Sequence, residues 1–96
     1  MKLPVLLAPD AADDLKRLKA YDRARVRDEL EGLRGAPTHV GRSRIKRLRG
    51  VRKPQYRLRV GDVRVFYDVT AEAIEVLAVV PKKEVQSWLD RESEKE

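Results

Sequence analysis

Gln55-Tyr56-Arg57-Leu58-Arg59-Val60-Gly61-Asp62-Val63-Arg64-Val65-Phe66-Tyr67-Asp68-Val69 is the stretch from which the rest of the chain can be read. Apolar and polar residues alternate on both sides of Gly61-Asp62, as in two half-buried strands. The Gly-Asp pair suits a type I′ or II′ hairpin turn, which supplies positive φ where the strand twist needs it. Such a turn fixes the register: Val60 faces Val63, Arg59 faces Arg64, Leu58 faces Val65, Arg57 faces Phe66 and Tyr56 faces Tyr67. One face then carries Tyr56, Leu58, Val65 and Tyr67 and belongs to the core. The other gathers Arg57, Arg59 and Arg64, and like charges opposite one another on a sheet are destabilising unless something negative lies between them. The three arginines are therefore a candidate anion site.

At 96 residues the chain has room for one domain, residues 1–96, with a single modest core. It has no cysteine and one histidine, His39, so a disulfide framework, a thiolate metal site and a histidine-pair metal site are all excluded. Neither a metal nor another cofactor is expected. His39 lies among turn formers and reads as a solvated loop residue. The apolar tract in Met1 to Leu7 is too short for a signal peptide and no run approaches a membrane span, so a cytoplasmic protein without a membrane partner is expected. Lys and Arg total 22 against 16 Asp and Glu, a net charge of +6. Ten of the basic residues fall between Arg42 and Arg64, where Asp62 is the only acid. The acids collect instead at Asp10 to Asp14, Asp28 to Glu31 and after Leu89. Charge separated in this way makes a one-sided positive field that attracts phosphates or an acidic polypeptide.

Outward from the hairpin, Leu3 to Leu7 reads as a strand covered on both faces, because it does not alternate. Asp10 is expected to cap a helix with Ala12, Leu15 and Leu18 on its buried stripe. After a break at Lys19 to Asp22, a second helix runs to about Leu33 with Val26, Leu30 and Leu33 inward, and Gly35 and Pro37 follow its end. Arg44 to Arg49 is a short extended piece anchored by Ile45 and Leu48, and Gly50 to Pro54 is a loop. Ile74 to Val80, with Ile74, Val76, Ala78 and Val80 on one face and Leu77 and Val79 on the other, reads as a central strand. Lys82 to Asp90 is a terminal helix packing Val85, Trp88 and Leu89, and Arg91 to Glu96 is expected to fray. The order β-α-α-β-β-β-α puts a helix pair on one face of a mostly antiparallel sheet, an α+β fold.

Ile45-Lys46-Arg47-Leu48-Arg49-Gly50, followed by Tyr56 to Tyr67 and then by an apolar strand, resembles the RelE/ParE superfamily of toxins from type II toxin-antitoxin systems, and the short helix pair resembles the RelE branch. The resemblance implies the RelE-like fold, a cognate antitoxin as partner, and messenger RNA endonuclease activity on the ribosome. The ParE branch implies a different target, DNA gyrase, bound without chemistry. Carried over residue by residue, the phosphate-binding and catalytic positions fall on Arg57, Arg59, Arg64 and Lys82, with Lys46, Arg47, Arg49, Arg52 and Lys53 placed to hold the RNA. The family usually has a tyrosine where this chain has Gln86, which cannot titrate, leaving Lys82 and Glu84 as the nearby groups that could move a proton.

Overall fold

The computed structural model describes residues 2–39 and 44–96. In chain order its elements are β1 (Val5–Leu7), α1 (Pro9–Arg17), α2 (Ala20–Leu33), β2 (Ile45–Arg47), β3 (Val51–Lys53), β4 (Tyr56–Val60), β5 (Val63–Val69), β6 (Ile74–Pro81), a single 3₁₀ turn (Lys82–Glu84), α3 (Val85–Glu92) and β7 (Glu94–Lys95). Five strands form one sheet in the order β1-β6-β5-β4-β2, parallel only between β1 and β6, while β3 and β7 pair separately. This is the expected α+β architecture, with β5 at the centre.

The hairpin has the register that its turn dictates, from Val60 opposite Val63 to Tyr56 opposite Tyr67. Gly61 takes φ +56° and no described residue other than glycine has positive φ, so the turn follows the II′ pattern, in which only the first central residue is left-handed. Leu58, Val60, Val63, Val65 and Tyr67 consequently share the face packed against Ala11 and Leu15 of α1 and Val26, Leu30 and Leu33 of α2. The Tyr56 and Tyr67 rings stack at 5.4 Å between centroids, and the buried Tyr67 hydroxyl donates to the Pro37 carbonyl at 2.7 Å. Burial, and then Tyr56, holds the Tyr67 phenol above its ordinary pKa, so it stays a hydrogen-bond donor.

The opposite face has its own small core. Phe66, Ala78 and Val80 are covered by Val85, Trp88 and Leu89 of α3, with Leu48 alongside. The Phe66 and Trp88 rings stack at 4.8 Å and 9°. The sheet is therefore sandwiched, with the helix pair on one side and α3 over part of the other.

Several local expectations change. Val5–Leu7 lies at an edge of the sheet, and Leu6 and Leu7 are 54% and 41% exposed, so this strand is not covered on both faces. Ala8, not Asp10, occupies the position before α1; Pro9 fills the first turn, where a missing N–H costs nothing, and Asp10 follows inside it. The buried stripe of α1 uses Ala11 rather than Ala12, at the i, i+4, i+7 spacing that includes Leu15 and Leu18. Helix α2 starts at Ala20, earlier than expected. In β6 the register shifts where Phe66 faces Ala78 but Tyr67 faces Val76. Leu77 is the extra residue, and this bulge reverses the parity, so Val79 joins Ile74 and Val76 on the helix-pair side while Ala78 and Val80 turn to α3.

Nor does the acidic end fray. Glu94 faces Lys53 and Lys95 faces Val51, so the stretch read as a loop supplies β3 and the terminal residues supply β7. Arg52 pairs with Glu94 at 2.7 Å, but both are exposed, and such a pair contributes only about 0–1 kcal/mol. The ladder sets the pairing, and the charges add to it.

A better-protected link joins β3 to the hairpin. The side chain of Asp68, nearly buried, accepts the Gln55 N–H at 2.7 Å, while the Gln55 side-chain oxygen accepts the Val69 N–H at 2.9 Å. Replacing Asp68 with Ala strands the Gln55 donor in a partly buried place. We expect a loss of about 1–3 kcal/mol in urea unfolding, as for other hydrogen bonds to charged groups, with the fold retained.

Candidate functional site

Two rows of side chains cross the face of the sheet opposite the helix pair. Lys46 of β2 faces Arg57 of β4, which faces Phe66 of β5, which faces Ala78 of β6. In the next row, Arg59 faces Arg64, which faces Val80. Both rows run from cations near the β2 edge to apolar residues beneath α3. The helix thus divides this face into a covered apolar part and a cationic strip. Along that strip Arg57 and Arg64 are half-buried and Arg59 is exposed.

Burial, then repulsion from Arg64 and Arg59, lowers the Arg57 pKa from its ordinary value. The ordering matters, because desolvation disfavours the charged form and the two neighbours disfavour it further; a bound anion would relieve both. Arg64 Nη1 donates to the carbonyls of Gly61 at 2.8 Å and Val63 at 3.1 Å, so its guanidinium is folded back onto the turn. A guanidinium offers five N–H donors, and those carbonyls engage only one of its nitrogens.

The remaining candidates divide. Lys46 joins the cationic rows. Arg47, one residue on, points to the other face, where its guanidinium lies 5.4 Å from the Tyr56 ring centre and Nη1 donates to the Gln55 carbonyl at 2.8 Å. Arg52 is engaged by Glu94, and Lys53 lies 4.0 Å from Asp68, so both belong to the β3–β7 region rather than to the strip. Arg49 is exposed in the connection between β2 and β3. Lys82 is exposed in the 3₁₀ turn, and its backbone N–H donates to the Asp62 carbonyl at 2.8 Å, which brings the end of β6 to the hairpin tip. Glu84 instead lines a cleft between α1 and α3 with Asp14, Arg17 and Arg91. Gln86 is exposed and donates to Asp90 at 2.9 Å. His39 is exposed. Arg42, counted in the basic stretch, lies outside the described residues. Among those residues no group of His, Asp and Glu is arranged to hold a metal ion, and no helix is long and apolar enough to cross a membrane.

The strip, the hairpin and the helix pair together fall within a known family. Residues 5–86 match the model of the ParE toxin of type II toxin-antitoxin systems (parDE), and the chain belongs to that family. Its fold is shared with chains of solved toxin-antitoxin complexes. A chain of the RelB-RelE complex from Methanococcus jannaschii is 24% identical, with a TM-score of 0.70, over 86% of this chain and 96% of that one. A chain of the archaeal RelE-RelB complex from Pyrococcus horikoshii OT3 is 25% identical, with a TM-score of 0.71, over 85% and 97%. A chain of the RelBE2 complex from Mycobacterium tuberculosis is 22% identical, with a TM-score of 0.69, over 84% and 99%. No curated protein matches by sequence. The chain is thus a type II toxin of RelE/ParE fold.

Replacing Arg64 with Ala removes hydrogen bonds to two exposed or partly buried carbonyls and also removes a like charge beside Arg57. The two effects oppose, so the net change in stability should stay within about 1 kcal/mol. Salt screens only the repulsion. Urea unfolding should therefore show a larger destabilisation at 1 M salt than at 10 mM, conditions of roughly 3 Å and 30 Å screening length.

Proposed function

We propose that this toxin is a ribosome-dependent messenger RNA endonuclease, kept inactive by a cognate antitoxin. One observation carries the reading: the hairpin register places Arg59 opposite Arg64, with Arg57 and Lys46 facing one another in the adjoining row, on a sheet face that α3 covers only in part. Phosphate oxygens match the guanidinium fork, and grouped arginines suit a phosphorus centre that gains negative charge.

The reaction is attack by a ribose 2′-hydroxyl on the adjacent phosphorus. A bond forms from the 2′-oxygen to phosphorus, and the bond from phosphorus to the 5′-oxygen of the next nucleotide breaks. One proton leaves the 2′-hydroxyl and one is added to the departing 5′-oxygen, giving a 2′,3′-cyclic phosphate and a free 5′-hydroxyl. Arg57, Arg59 and Arg64 would stabilise the phosphorane. Proton transfer needs a different group, because arginine stays charged at neutral pH. Of the two remaining candidates Lys82 suits the role better, because its own backbone N–H is bonded to the hairpin tip, while Glu84, at the other end of the same turn, lines the cleft between α1 and α3.

The toxin-antitoxin complexes among the structural neighbours support an antitoxin partner. Its expected chemistry is acidic and amphipathic, complementary to the strip. A second reading, docking on DNA gyrase without chemistry, is favoured by Gln86, whose side-chain amide cannot titrate and donates to Asp90.

Purified toxin on ribosomes programmed with a defined message should produce 5′-hydroxyl ends within the message, mapped by primer extension. Arg64→Ala should lower the cleavage rate on the order of a hundredfold or more, the usual effect of losing a donor to developing charge, and abolish growth arrest on expression. Gln86→Tyr should raise the rate. Growth arrest without cleavage, together with inhibited supercoiling in vitro, would replace this reading with the gyrase one.

A further inference from the structure

The hairpin tip is flanked by cations that the sheet face does not account for. On the helix-pair side, Arg25 Nη1 lies 2.7 Å from the point where a Cβ on Gly61 would stand. Its guanidinium carbon is 5.7 Å from the ring centre of Tyr21, one helical turn earlier in α2. The Arg25 guanidinium thus lies near both the Tyr21 ring and the bare Cα of Gly61. Arg64 bonds the same glycine's carbonyl from β5. Beyond Asp62, the 3₁₀ turn brings Lys82 and Lys83 to a shallow depression lined also by Pro81. Cations from three separate elements thus flank the Gly61-Asp62 tip, Arg25 and Arg64 at Gly61 and Lys82 and Lys83 beside Asp62.

Tyr21 distinguishes this surface from a merely solvated one. It is 70% exposed, whereas the other aromatic residues are buried or half-buried. A flat exposed ring beside a positioned guanidinium offers a base a stacking surface and its phosphate a partner, without regard to sequence. An acidic polypeptide would use the cations but gain little from the ring. Arg64 belongs both to the tip and to the row containing Arg59, and so joins the two cationic surfaces.

We infer that Tyr21, Arg25 and the Gly61-Asp62 tip form a subsite for a single-stranded RNA nucleotide flanking the reacting phosphate, with its base on the Tyr21 ring and its phosphate on Arg25. This deepens the RNA reading above and rests on it for the ligand, but not for the chemistry. Gly61 then has a second role besides its turn conformation, since a Cβ there would crowd the Arg25 guanidinium and move it from the tip.

The test is binding of a fluorescent, 2′-O-methylated single-stranded RNA oligonucleotide to the purified full chain, read by anisotropy across a salt series. The methylated strand cannot be cleaved, so binding is measured apart from catalysis. Tyr21→Ala should weaken binding roughly 5- to 100-fold with the salt slope unchanged, and Tyr21→Phe should bind like the parent, because stacking needs the ring and not the hydroxyl. Arg25→Gln should weaken binding and reduce the slope of log affinity against log salt by about 0.7, as for one phosphate contact to a single strand. Both residues are exposed, so the variants should unfold like the parent. These results would stand even if the parent cut no message on ribosomes, which would overturn only the endonuclease reading. The subsite is overturned if the parent does not bind the oligonucleotide, if Tyr21→Ala binds as tightly as the parent, or if polyglutamate displaces the RNA and binds with no dependence on Tyr21, which would assign the tip to an acidic protein partner.

Discussion

Gly61 in the left-handed region at φ +56° is the constraint on which the rest depends. For residues with a Cβ that conformation costs about 1–2 kcal/mol, and glycine alone adopts it freely. With it the turn closes over two residues, and a shift of one residue in the pairing would exchange every side chain of the shifted strand between faces. Either Leu58 would leave the helix pair and Arg57 and Arg59 enter the core, or Val65 and Tyr67 would leave it and Arg64 enter. The turn thus determines at once where the core lies and where the positive charge collects.

A sheet face crowded with arginines is electrostatically unfavourable by itself, and the fold confines the cost to a strip. Phe66, Ala78 and Val80, in the same rows as the cations, are covered by Trp88 and its helical neighbours. Apolar burial on one part of the face therefore offsets repulsion on the other. The strip remains poised for an anion, because Arg57 is already partly desolvated and disfavoured as a cation by Arg64 and Arg59.

The hairpin was legible because alternation and a Gly-Asp turn carry their own geometry, and with it the grouping of Arg57, Arg59 and Arg64. The helices were legible for a similar reason: Val26, Leu30 and Leu33 repeat at helical spacing. Features that depend on distant partners were not. Arg47 and Lys46 are adjacent in sequence and equally basic; strand alternation sends them to opposite faces, and only the pairing of β2 with β4 decides which of them joins Arg57. Arg52 and Glu94 lie far apart in the chain, so the β3–β7 ladder has no local signature. A largely apolar run such as Ile74 to Val80, interrupted only by Glu75, conceals a bulge, since its parity beyond Val76 can be reversed without changing residue type. Tyr21 and Arg25 carry the spacing of helical neighbours, but the approach of Arg25 to Gly61 follows from how α2 lies over the hairpin.

That bulge also bears on how the family can vary in length. Deleting Leu77 would close the bulge and leave Val76 and Val79 facing the helix pair and Ala78 and Val80 facing α3, so both cores would keep their side chains, whereas straightening the strand with Leu77 retained would exchange Ala78 and Val79 between them. The bulge is thus a place where one residue can be lost without disturbing either layer, and the turn at Thr70 to Ala73, closed by its own hydrogen bonds and joined to one end of the sheet, can likewise change length without altering which side of β6 faces which helix.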